Sequence, residues 1–122
     1  MGLDCYAVII ESAPESWFRD LEDDALPHGL CSFNANSFHG NDLDRLITTL
    51  TDLSLYTDTL IMPSDVQTIA SALTNWVNEH PNTDWHDPDH PDADPIPFAT
   101  LRVLAQWFRI AADNECALQT WW

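Results

Sequence analysis

Lysine is absent from the chain, and arginine, glycine and cysteine occur only four, three and three times. Each scarcity excludes a chemistry. A Walker loop needs its Lys at the nucleotide phosphates, and a Schiff-base enzyme needs a Lys amine. With four cationic side chains in 122 residues, direct nucleic-acid binding is disfavoured, because phosphates are held mainly by Lys and Arg. No run of about 18 apolar residues exists, so no membrane span is expected. Met1 to Asp4 lack the positive stretch that opens a signal peptide, which makes the cytoplasm the expected location. Cys5, Cys31 and Cys116 are widely spaced, odd in number and free of any C-x-x-C pattern, so reduced, buried side chains are expected rather than redox or metal ligands.

What the chain has in quantity is acid. Twenty Asp and Glu, fifteen of them Asp, leave a net charge of −16. Such charge keeps a protein soluble and works against its compact state through self-repulsion. Disorder is nonetheless not expected, because 45% of residues are hydrophobic, with six Trp and five Phe among them. The length suits one domain over 1–122 with a real core.

Hydrophobic periodicity then orders the chain. Leu3 to Ile10 is apolar on both alternating faces and predicts a mostly buried strand. Ser12-Ala-Pro-Glu15 has the form of a capping box with an early proline, predicting a short helix with Trp17, Phe18 and Leu21 inward and Asp23 and Asp24 stopping it. Pro27 to Asn36 reads as a loop or short strand, and His39 before Gly40 as a turn leading into a helix. Asn41 or Asp42 can cap that helix, whose stripe is Leu43, Leu46, Ile47, Leu50 and Leu53. Ser64 and Gln67 form a second capping-box pattern ahead of Val66, Ile69, Ala70, Leu73 and Val77, with an end near His80 and Pro81. The helix from Phe98 to Asn114 is apolar on most sides. Phe98, Leu101, Leu104, Ala105 and Phe108 form one row, and Val103, Trp107 and Ile110 another. Its polar stripe, Arg102, Gln106, Arg109 and Asp113, is narrow, so this helix is expected at the centre of the fold. Cys116 to Trp122 predicts a closing strand. The class is α+β, mainly helical: about four helices packed with a small sheet from the N- and C-terminal strands.

Between the last two helices lies an acidic, Pro- and His-rich loop, 80–97, with five Pro, five Asp and three His. Prolines 81, 88, 91, 95 and 97 forbid helix and central strand alike, so an exposed, extended loop is expected, mobile unless bound. Its His80, His86 and His90 beside carboxylates are a ligand set for divalent metal, but no helix or strand fixes two ligands at a set separation, and no metal or cofactor is assigned. Trp85 stands there without a periodic partner. It is either an interface anchor or a plug that pins the loop to the core. The candidate partner-binding residues are Asp84, Trp85, Asp87, Asp89, Asp92 and Asp94, and no catalytic residue is assigned. Arg102 and Arg109 are expected in ion pairs with nearby acids.

Several short stretches resemble a family of small uncharacterised bacterial proteins. They are Met1-Gly-Leu-Asp-Cys-Tyr6, Ser37-Phe-His-Gly40, Ser54-Leu-Tyr56 followed by Pro63, Trp107-Phe-Arg109, and Trp121-Trp122. The family usually has Arg and Lys where this chain has His39 and Asn41, and Gly before the closing Trp pair where this chain has Thr120. The resemblance implies a shared fold and no particular activity.

Three classes of function fit these residues. The first is a non-enzymatic acidic binding protein of the inhibitor, immunity or DNA-mimic type, whose partner is a protein with a basic groove. A globule of this length is roughly 35 Å across, and a duplex of that length carries roughly twenty charges, comparable with −16 here. The alternative is a salt-adapted soluble domain whose charge is unrelated to any partner. The second alternative is a small enzyme or metal-binding protein. A mimic gathers its acids on one face, whereas a salt-adapted surface spreads them.

Overall fold

A computed structural model describes residues 3–12, 17–20, 37–39, 43–57 and 60–121 of the chain. The class is α+β. Strand β1 (Asp4–Ser12) organises the sheet, pairing antiparallel with β2 (Trp17–Asp20), β3 (Ser37–His39) and β4 (Ala117–Trp121). The two chain ends therefore do meet, with Asp4 opposite Trp121 and Val8 opposite Ala117. As its two-sided apolar pattern requires, Leu3, Cys5, Ala7 and Val8 on or beside β1 are fully buried. Cys116 is buried as well.

Two local expectations give way to sheet pairing. The short helix expected from Ser12 is absent from 17–20, which is strand β2, with Ile10 opposite Phe18 and Ser12 opposite Trp17. Trp and Phe suit a pleated surface, and pairing back onto β1 satisfies the backbone groups that a one-turn helix leaves open. His39 likewise belongs to strand β3, where Ser37 to His39 face Tyr6 to Asp4, and not to a turn before a helix. Three helices are present among the described residues, where about four were expected. Asp23, Asp24, Pro27 to Asn36 with Cys31, Asn41, Asp42 and Trp122 lie outside the described residues.

Helix α1 (Asp44–Thr51) follows Leu43, with no side-chain cap, and ends at Asp52, whose φ of 63° is left-handed. Thr48 Oγ1 then donates to the Leu53 carbonyl at 2.9 Å, closing the turn. Helix α2 (Pro63–Glu79) starts one residue before the expected Ser64 cap. Pro63 takes the first helical position, where its missing N–H is no loss, so Ser64 falls inside the helix. Helix α3 (Phe98–Asp113) ends on a left-handed Glu115, φ 56°, with Cys116 N–H on the Ala111 carbonyl and Glu115 N–H on that of Ala112. That is the Schellman stop, and it turns the chain into β4.

Buried residues from α1, α2, α3, β1 and β4 join one hydrophobic cluster, from which buried Val8 and Ala117 stand apart. Helix α3 contributes more buried residues to this cluster than any other described element, with Leu101, Leu104, Trp107, Phe108 and Ala111 no more than 1% exposed. It is α2, however, that packs against α1, α3 and β4, so the expected central place of α3 falls to α2. Arg102, Gln106, Arg109 and Asp113 are exposed, which matches the polar stripe. Ile61, just before α2, exchanges both backbone hydrogen bonds with Leu118 of β4 at 2.9 and 2.8 Å, tying the helical layer to the sheet. Among the described residues, no helix is long and apolar enough to cross a membrane.

Candidate partner-binding loop

The chain leaves α2 at His80, whose ring stacks on Trp76 with centroids 4.3 Å apart, and enters the 80–97 loop. Most of this loop is exposed, as expected, but Trp85, Asp87 and Ile96 are buried, and three attachments tie it to the rest of the fold.

The first is Trp85, which is 7% exposed and part of the core cluster. Its backbone N–H and carbonyl both bond to Ile96, each at 2.9 Å, and Ile96 is buried to the same degree. One antiparallel bridge thus closes the loop at its base. Trp85 is the plug rather than the exposed anchor, because an indole gains more by burial in an available core than it loses by ordering.

The second is Asp84. Its Oδ1 accepts the N–H of Phe98, the first residue of α3, at 2.9 Å. Helix α3 has no acid in its own first turn. A carboxylate from across the loop therefore meets an open N–H at the positive end of the helix.

The third is Asp87, a buried carboxylate with an 8% exposed residue surface. Arg45 Nε on α1 donates to its Oδ2, His90 Nδ1 lies 3.1 Å from the same oxygen, and the Asp89 N–H donates to Oδ1 at 2.9 Å. Burial pushes the Asp87 carboxyl up. The Arg45 hydrogen bond, the Asp89 N–H and the charges of Arg45 and His90 outweigh that and hold it below its ordinary value.

The six candidate residues therefore separate. Asp84, Trp85 and Asp87 have internal partners, and the buried positions of Trp85 and Asp87 remove both from the outer surface. Asp89, Asp92 and Asp94 are exposed. Asp89 also lies 3.5 Å from the second Arg45 nitrogen, with its side chain 78% exposed. Between them the chain makes tight turns, His90 N–H to the Asp87 carbonyl at 3.2 Å and Ala93 N–H to the His90 carbonyl at 3.0 Å.

Arg45, which sequence reasoning passed over, is the residue that secures this arrangement. Its only sequence signal is that it is the sole cation between Arg19 and Arg102. No group of three or more His, Cys, Asp or Glu side chains gathers as a metal site among the described residues. Of the other arginines, Arg109 pairs with Asp113 at 3.5 Å, one helical turn away. Comparisons with models of known families, with curated proteins and with solved structures found no match.

Proposed function

We propose that the protein is a non-enzymatic acidic binding protein that engages a basic groove on another protein through the outward side of the loop, Asp89, Asp92 and Asp94. What supports this reading is the way these carboxylates are carried. The loop is fastened at Trp85, Asp84 and Asp87, so the exposed acids sit on a braced turn instead of a free tether. Bracing lowers the ordering entropy that binding must overcome, and clustered charge steers the encounter. The five prolines of 80–97 act in the same direction.

A second reading, the salt-adapted domain, draws on a different observation. Exposed acids also stand at Asp52, Glu79, Asp113 and Glu115, beside the ends of all three helices. That scatter is what a general acidic coat produces.

One experiment separates the two. The natural protein and an Asp89→Asn, Asp92→Asn, Asp94→Asn variant are used as bait in host extract at low and high salt. The binding reading expects partners that the variant fails to hold and that high salt releases. The same partners on both baits would remove the loop from the reading, and none at low salt would leave the acidic coat.

A further inference from the structure

Charge is missing from one part of this surface. Between Asp65 and Glu79, helix α2 carries no charged residue from Val66 to Asn78. Helix α3 carries no acid from Phe98 to Ala112, and its only charges there are Arg102 and Arg109. In a chain with twenty acids and four arginines, the middle of the two longest described helices, packed on each other, carries only the positive charges of Arg102 and Arg109, with acids confined to the helix ends at Asp65, Glu79 and Asp113. A coat selected merely for acidity has no reason to spare it.

A groove of about 270 Å³ opens between the two helices on this face. Its wall is apolar, with buried Ala105 and half-buried Val77 and Ile110. Exposed Asn78, Gln106 and Arg109 border it. Arg102, one turn from Gln106, continues the same stripe. Small-molecule pockets run from about 300 to 1,000 Å³ and enclose most of their ligand. This groove falls below that range and is open, which suits side chains offered by another protein.

We propose that the α2/α3 face docks an amphipathic helix of a partner protein, whose apolar ridge enters the groove and whose flanking carboxylates meet Arg102 and Arg109. Ridges of one helix seat naturally in the groove between two others. Arg109 is available for the exchange: its pair with Asp113 is 3.5 Å long, with side chains 61% and 68% exposed, and such surface pairs are weakly held. The net charge of −16 does not forbid an acidic partner. At physiological ionic strength, exposed charges beyond roughly 8 Å are screened, so the local sign decides. This site is separate from the acidic loop and stands whether or not the loop binds anything.

The test uses a labelled synthetic helix with leucines at i, i+3, i+4 and i+7 and glutamates on both flanks, and a twin with lysines in place of the glutamates. Binding to the full chain is read by fluorescence anisotropy at physiological salt. The expected result is saturable binding of the glutamate helix, weakened about tenfold or more by Arg102→Glu with Arg109→Glu, as for charges that contact a partner. Both positions are exposed, and circular dichroism melts confirm that the variant folds. The Asp89→Asn, Asp92→Asn, Asp94→Asn variant should bind the glutamate helix as the natural protein does. No binding, equal or tighter binding of the lysine helix, or sedimentation showing that a second copy of the chain occupies this face would each overturn the proposal.

Discussion

Arg45 and Asp87 are forty-two positions apart, yet the guanidinium of one donates directly to the carboxylate of the other. The contact clips the acidic loop to α1, and the chain then turns back under His90. The carboxylate is nearly enclosed, whereas the arginine side chain is 49% exposed. The contact therefore serves mainly to satisfy an acid that burial has stripped of water.

Removing the acid should show this. Asp87→Asn keeps the shape but loses the charge-assisted bonds to Arg45 and His90, so its melting temperature should fall. Asp92→Asn, on the exposed side of the same loop, should leave it unchanged or raise it by relieving repulsion. Thermal melts of the two variants under one buffer check this ordering, and equal effects would contradict the clasp.

The same group fixes a pH dependence. Its folded carboxyl lies below the ordinary 3.8. The stability it supplies is therefore complete above that value and is lost as pH falls through the lowered folded value. The gap in urea midpoint between the natural protein and Asp87→Asn should be wide near neutrality and narrow below about pH 4. A gap that widens in acid would show the opposite sign.

Trp85→Ala should empty a core site and open the base of the loop together. The expected loss is about 3–5 kcal/mol, as for large aromatic truncations. Limited proteolysis should then cut within 80–97 under conditions where the natural chain resists. Unchanged cleavage would mean that the Ile96 bridge holds without the indole.

Within α3, Leu104 and Phe108 are fully buried and Gln106 is exposed. Leu104→Ala or Phe108→Ala should lower stability by roughly 2–5 kcal/mol. Gln106→Ala should stay within about 0.5 kcal/mol of the natural protein. Chemical denaturation of the three variants reads the contrast.

Added salt should raise the melting temperature, because screening at a Debye length of about 8–10 Å relieves repulsion among the exposed acids. A scan from low to molar salt that stays flat would argue that the acids are already paired.

The sequence by itself determined the three helices, their inner faces and the meeting of the two terminal strands. Those follow from periodicity, which is a local property: Leu46 and Ile47, or Leu104 and Phe108, announce a buried stripe by spacing alone. Only the tertiary structure decided that Trp17–Asp20 pairs as a strand, because the ladder offered by β1 outweighs a local capping pattern. Only it, too, separated the aspartates of 80–97. By composition they are alike, yet Asp84 caps α3, Asp87 is buried against Arg45, and Asp92 faces water. No spacing rule distinguishes them, since each role depends on what another element brings within hydrogen-bonding distance once the core has closed.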